Sequence, residues 1–359
     1  SATPTTSTTA TATATPTMTQ TASAADAEPA STATSQAITS PTVTTQPPTP
    51  TSAPALSSGE RWRIGISLPI GSPLDYDLDA LGVGWVMNWR AYAEPPVPAG
   101  VEFAQMVRMK GGKLSLDPAT ITSIAAANPG AIWLISNEPD VRWQDNVTPE
   151  TYATLYYDAY HAIQAGDPNA IVTAGGIAQP TPLRLAYLDR VRVAYQAQFG
   201  AALPVDAWQI HNYMLREERD SWGVDIPPGF SENTGVLYSV DDSGNLDVFK
   251  QQIYTFRRWM AERGYQNLPL FVTEFGIPMP QDYGFPPERI AEYLRETWRF
   301  FATASDSNIG NPNDDGLLVQ RWCWFSLAAP TYPSGDLVDL ETGDWTPLGR
   351  AWLDWVQSP

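Results

Sequence analysis

Trp133–Leu134–Ile135–Ser136–Asn137–Glu138–Pro139 decides how the rest of the chain is read. An apolar run of strand length stops abruptly on Ser-Asn-Glu-Pro. Thr148–Pro149–Glu150 then reads as a helix N-cap, an N1 proline and a first-turn acid, leading into Tyr152, Leu155, Tyr156 and Ile163 at helical spacing. The unit is a strand, a short polar link and an amphipathic helix.

The same unit recurs on both sides. Eight short apolar or β-branched runs stand out: Arg63–Pro69, Gly82–Trp89, Glu102–Lys110, Ala131–Asn137, Ala170–Ile177, Asp206–Tyr213, Pro269–Phe275 and Val319–Leu327. Thr181–Pro182 opens a helix with Leu185, Leu188 and Val191. Phe249, Ile253, Phe256 and Met260 mark another, Ile290, Leu294, Trp298 and Phe301 a third, and Thr346–Pro347 starts a last one with Leu348, Trp352 and Trp355. Strand and helix alternating eight times predict an α/β fold, a closed (β/α)8 TIM barrel rather than an open doubly wound sheet. The first two crossovers, Ile70–Leu81 and Arg90–Val101, are short, so their helices are expected to be stunted.

Composition divides the chain. Residues 1–58 hold 19 Thr, 13 Ala, 9 Ser and 8 Pro, with no aromatic residue and no Lys or Arg. Such a segment buries too little apolar surface to offset its ordering entropy. It reads as a disordered Thr/Ser/Ala/Pro-rich N-terminal stalk or linker of the kind that is O-glycosylated. It carries neither a basic n-region nor an apolar h-region. The expectation is that a leader has been removed and that the stalk holds the body off a surface, through a lipoprotein or wall tether. Residues 59–359 carry all 14 tryptophans and form the predicted barrel domain, extracellular or at the cell surface.

Several classes are excluded at once. The single Cys323 cannot form an intrachain disulfide, and with only His161 and His211 beside it a zinc site of soft ligands is not expected. A formal charge of −18 disfavours nucleic acid and anionic membrane, and no apolar run is long enough to span a bilayer. Gly111–Gly112 and Gly175–Gly176 lack the spacing of a phosphate-binding loop and read as turn glycines. No cofactor and no metal is expected, and the protein is read as a monomer whose partner, on the residues set out below, is a polysaccharide or oligosaccharide.

In a barrel of this kind chemistry sits at the C-terminal ends of strands. The fourth run leads directly into Glu138. The seventh, Leu270–Phe271–Val272–Thr273–Glu274–Phe275–Gly276, ends near Glu274. Period-two alternation places Leu134, Ser136 and Glu138 on one face and Leu270, Val272 and Glu274 on one face, so both carboxylates are expected at the barrel mouth. Two carboxyls held there suit glycoside hydrolysis, one protonated as acid and one ionised as nucleophile. On the sixth run Gln209, His211 and Tyr213 share a face. Tyr213 is placed to orient the nucleophile, and His211 to contact sugar or a carboxylate. Trp324, with Trp322 on its face, and Asn88–Trp89 at the second strand end are candidate sugar contacts. Cys323, of opposite parity to Trp324, is expected outside the barrel under the helices. His161 is given no role.

Asn137–Glu138–Pro139, His211–Asn212–Tyr213 and Thr273–Glu274–Phe275–Gly276, in that order, resemble the clan A glycoside hydrolases over most of residues 63–327. The resemblance implies a retaining mechanism, with Glu138 as acid/base, Glu274 as nucleophile, Asn137 on the sugar 2-hydroxyl and Tyr213 steadying Glu274. Within that clan, Met87–Asn88–Trp89, Ser136–Asn137–Glu138–Pro139–Asp140 and Trp322–Cys323–Trp324–Phe325 look most like glycoside hydrolase family 128, whose members cleave β-1,3-glucans. The third strand end, Arg108–Met109–Lys110, and segment 214–245 depart from that pattern. The segment, which carries Trp222, Phe230 and Tyr238, is expected to wall one side of a cleft and favour internal cleavage. The expected function is hydrolysis of a β-linked polysaccharide, β-glucan foremost. A non-catalytic carbohydrate-binding barrel and a transglycosylase using the same residues are the alternatives.

Overall fold

The computed structural model describes residues 58–357, so the reading of the N-terminal stalk falls, but for Ser58, outside the described residues. Nine parallel strands are present: β1 (Ile64–Ser67), β2 (Trp85–Met87), β3 (Glu102–Phe103), β4 (Gln105–Val107), β5 (Ile132–Ile135), β6 (Ile171–Ile177), β7 (Ala207–His211), β8 (Leu270–Phe275) and β9 (Arg321–Trp324). Their order is β3-β2-β1-β9-β8-β7-β6-β5-β4. β3 and β4 are two halves of one strand broken only at Ala104. The first half pairs with β2 and the second with β5, which brings the ring to eight positions and nearly closes it.

Among the described residues six α-helices occur: α1 (Pro118–Ala127), α2 (Pro149–Gly166), α3 (Pro182–Phe199), α4 (Leu246–Glu262), α5 (Pro287–Thr303) and α6 (Pro347–Gln357). Five of the six begin on a proline that follows the capping residue or lies within the first turn. Thr148 caps α2 by accepting from Thr151 N–H, a contact worth ~1 kcal/mol. The first two crossovers go further than stunting. Among the described residues the first holds one 3-10 turn, Pro73–Asp75, and the second no helix at all. Pro95, Pro96 and Pro98 remove the N–H groups that a helix there would need. Neighbours pin these bare links instead: Trp352 Nε1 donates to Leu81 O at 2.9 Å, and Asn128 Nδ2 to Tyr92 O at 3.0 Å.

The strands bury both faces, and their side chains sort into two layers. Trp85, Met87, Ala104, Met106, Ile132, Leu134, Ala207, Phe271 and Cys323 pack together inside the barrel. Trp133, Ile135, Trp208, Ile210, Leu270, Val272, Trp322 and Trp324 pack outward against the helices. Trp85 fills the barrel beside β1, where a Cβ on Gly65 would lie 2.3 Å from its indole.

Candidate active site

The chain leaves β5 through two left-handed residues, Ser136 (φ 72°) and Glu138 (φ 46°). A non-glycine residue in that region costs ~1–3 kcal/mol and persists only where its surroundings enforce it. Asp145 does so. Fully buried, its carboxylate accepts the N–H groups of Met109 (2.7 Å) and Asn137 (2.9 Å), the Ser136 hydroxyl (3.0 Å) and Arg108 Nε (2.8 Å). Glu138 N–H donates to Gly176 O at 2.8 Å.

That carbonyl belongs to a bulge. Gly175 and Gly176 lie within β6 with φ of 113° and 68°, and the register with β7 slips between Gly175 and Ile177. A Cβ on Gly175 would sit 2.3 Å from Gln209 O. The pair read as turn glycines is therefore a strand bulge that anchors Glu138, whereas Gly111–Gly112 do lie in a turn. Behind it, the buried Arg184 guanidinium pairs with Asp140 and with Glu217 (Nε–Oε1 2.7 Å) and donates to Asp225 O (2.8 Å). One side chain of α3 thus ties the Glu138 loop to segment 214–245.

Glu274 arrives by a different route from the one its sequence suggests. Leu270 and Val272 point outward to the helices, and Phe271 points in. Plain alternation would send Glu274 outward with Val272. Instead Ile210 pairs with Val272 but His211 with Glu274, and Trp322 pairs with Val272 but Trp324 with Phe275. One extra residue in β8 re-aims the carboxylate inward, the usual effect of a bulge beside a site. The shared face of Leu270, Val272 and Glu274 is corrected accordingly.

The two glutamates meet. A carboxylate oxygen of Glu138, a ring nitrogen of His211 and a carboxylate oxygen of Glu274 all lie within 4.8 Å of one another. His211 Nδ1 is 3.0 Å from Glu138 Oε1, and its Nε2 is 3.5 Å from Glu274 Oε1. Tyr213 Oη donates to Glu274 Oε2 at 3.1 Å. Trp89 Nε1 donates to Glu274 Oε1 at 2.8 Å and to Asn137 Oδ1 at 3.0 Å. The carboxylates use opposite nitrogens of one imidazole.

Burial raises the Glu274 carboxyl, the His211 charge opposes this, the Glu138 charge adds to it, and the Trp89 and Tyr213 donors pull it back; the balance remains raised. Burial lowers the imidazole of His211, but the charge of Glu274 and the bond to Glu138 outweigh it and leave it raised. Burial, then the two carboxylates, push the Tyr213 phenol well above its ordinary value, which keeps it a donor.

These groups open on a cleft of about 410 Å³, within the range of small-ligand sites. Trp89, Asn137, Glu138, Tyr213 and Glu274 line it, with Arg108, Trp143, Phe325 and Tyr332. Trp143 (56% exposed) and Tyr332 (45% exposed) are its solvent-facing aromatics. The sequence reading missed both, because loop aromatics outside any periodic run carry no positional signal. Asp145 was missed for the same reason, an acid in a polar loop resembling a solvated one. Beyond Tyr332 and Pro278 lies a second cavity of about 430 Å³ walled by Met279, Phe285, Ile290 and Leu348.

Two candidate contacts fall elsewhere. Trp324 is fully buried, packs outside the barrel on Phe275 (ring centroids 5.2 Å) and donates its indole N–H to Gly335 O. Cys323, expected outside under the helices, takes the interior position instead, and burial followed by the Glu274 charge pushes its thiol well up. The parity of the last strand was inverted, and Phe325 is the aromatic that reaches the cleft. Asn88 donates to Tyr92 Oη at 3.0 Å and does not line the cleft. From segment 214–245, Leu215, Gly223 and Val224 contribute cleft wall, while Phe230 lies under Arg190 and Tyr238 bonds Gln252.

Residues 73–223 match the family model described as the glycosyl hydrolase catalytic core. Together with the parallel barrel this makes the chain a glycosidase. Its fold is similar to that of glycoside hydrolase family 128 β-1,3-glucanases. A subgroup II endo-β-1,3-glucanase from Pseudomonas viridiflava aligns at TM-score 0.56 and 21% identity over 81% of this chain and 96% of that one. A subgroup I endo-β-1,3-glucanase from Amycolatopsis mediterranei, in complex with laminaritriose, aligns at 0.54 and 20% over 82% and 99%. A subgroup III curdlan-specific exo-β-1,3-glucanase from Blastomyces gilchristii, in complex with glucose, aligns at 0.52 and 19% over 82% and 97%. Among curated protein sequences none matches. No helix among the described residues is long and apolar enough to cross a membrane.

Proposed function

We propose that this glycosidase hydrolyses β-glucan, β-1,3-linked chains foremost, by retaining double displacement between Glu138 and Glu274. The observation that carries the reading is the approach of the two carboxylates to within 4.8 Å around one imidazole. That closeness fits a direct nucleophile better than the wider gap which an inverting enzyme leaves for water. Glu274 has two firm donors, Tyr213 and Trp89, one on each oxygen, which favours its ionised form. Glu138 protonates the glycosidic oxygen as Glu274 attacks the anomeric carbon. The C1–O bond to the leaving sugar breaks as the bond to the Glu274 carboxylate forms. Glu138 then removes a proton from water, which displaces the carboxylate and restores both groups.

Asn137 is held by Asp145 below it and Trp89 beside it, which supports its reading as the contact to the sugar at the reacting ring. The similarity in fold to β-1,3-glucanases favours that linkage, and the exposed Trp143 and Tyr332 favour a polymer over a free monosaccharide. The composition of residues 1–58 and a polymeric substrate favour action outside the cell.

Reducing-end release from laminarin, curdlan, other β-glucans, mannan, xylan and galactan tests the substrate. Release from β-1,3-glucan with retained anomeric configuration is expected, and release from mannan, xylan or galactan alone would overturn it. Glu274→Gln should abolish release while leaving oligosaccharide binding intact. Undiminished turnover in that variant would remove Glu274 from the mechanism.

A further inference from the structure

We propose that Trp89 acts through its indole N–H, shared between Glu274 and Asn137, as the residue that holds the nucleophile in its attacking orientation and fixes which way the Asn137 amide faces. This rests on the reading of Glu274 as the nucleophile. It assigns Trp89 a role other than that of a stacking platform for sugar.

Three observations carry it. The N–H lies 2.8 Å from Glu274 Oε1 and 3.0 Å from Asn137 Oδ1, so one donor serves two acceptors on two different strand ends. Indole nitrogen donates only, so the atom of Asn137 facing it is the carbonyl oxygen, and the Asn137 NH₂ is left to face the cleft as a donor. Trp89 itself sits at φ 60°, a conformation a bulky residue adopts only when its surroundings impose it. The edge of its ring against Phe325, 6.0 Å between centroids at 68°, supplies that support from the last strand end.

The consequence for the reaction follows from charge. Before attack, Glu274 is the stronger acceptor and takes the larger share of the N–H. Once its oxygen is bonded to the anomeric carbon it is a neutral ester, and the N–H passes to Asn137 without any side chain moving. The groups facing Glu274 that also titrate or carry charge are Glu138, His211, Tyr213, Cys323 and Tyr332. None of them bonds both Glu274 and Asn137.

Trp89→Phe removes the donor and keeps a ring. A second variant carrying benzothienylalanine at position 89 keeps the bicyclic shape and removes only the N–H. Both should move the acidic limb of the kcat/KM profile up by about one pH unit, because the ionised nucleophile loses a donor. Both should also lower kcat more than they raise KM. An acidic limb that stays in place in both variants would overturn the proposal, as would full activity in the benzothienylalanine variant. Glu274→Ala with added azide separates the two levels. Formation of a glycosyl azide of inverted configuration leaves the nucleophile reading standing whatever Trp89 does. No azide product would remove that reading and this inference together.

Discussion

The Nδ1 edge of His211 lies 3.0 Å from Glu138 Oε1, although the two residues stand 73 positions apart. The same ring presents Nε2 to Glu274 at 3.5 Å. A single buried imidazole therefore links the two carboxylates on which the proposed chemistry depends. Neither carboxylate can change charge without the ring responding.

The raised proton affinity of His211 gives a signed prediction. A group whose folded value exceeds its unfolded one stabilises the fold fully below its unfolded value of about 6.5, and that stabilisation drains as pH rises through the folded value. His211→Asn should therefore flatten the fall in thermal midpoint as pH rises above about 6.5. Identical pH dependence in both proteins would mean that folding leaves the proton affinity of His211 unchanged.

Asp336 offers a second signed test. Burial pushes its carboxyl up to about 6, opposed by donors at Ala329 N and Ser326 Oγ. The folded state keeps a proton that the unfolded state has lost, so stability falls between about pH 4 and pH 6 and stays reduced above. Asp336→Asn keeps an acceptor and removes the charge. It should gain roughly 1–2 kcal/mol at pH 8, discounted for the open cavity beside it, and nothing near pH 4. Urea midpoints at the two pH values decide the matter.

Asp145 holds the backbone on which Asn137 and Glu138 are mounted. In Asp145→Ala, four donors lose their acceptor and the two left-handed residues lose their restraint. A displacement of the order of 1 Å at a reacting group costs about 10²-fold in rate. We expect kcat to fall by about that factor, with Arg108 left uncompensated and the thermal midpoint lowered as well. An unchanged kcat would show that β5 sets Glu138 without help.

Two tryptophans should behave in opposite ways. Trp143→Ala at the exposed cleft wall should raise KM for oligosaccharides by about three- to tenfold with stability nearly unchanged. Trp324→Ala, within the outer core, should cost about 3–5 kcal/mol of stability. Its effect on activity should disappear when the two proteins are compared at equal folded fraction. The reverse pattern would restore Trp324 as a substrate contact.

What the sequence determined by itself was local. Helix openings at Thr148–Pro149 and Thr346–Pro347, the strand-length runs and the polar strand ends carrying Glu138, His211, Tyr213 and Glu274 all follow from spacing and capping chemistry within a few residues. The tertiary structure decided where those side chains point. Bulges in β6 and β8 depend on how one strand meets its neighbour, and each reverses facing without altering composition. So Glu274 turned inward against its own alternation, Trp324 and Cys323 exchanged faces, and Trp89 became a hydrogen-bond donor. Asp145, Trp143 and Tyr332 gained their places only from loops folded over the barrel. A period-two pattern fixes relative facing within one unbroken strand, but absolute facing is set by register, and register is a property of pairs.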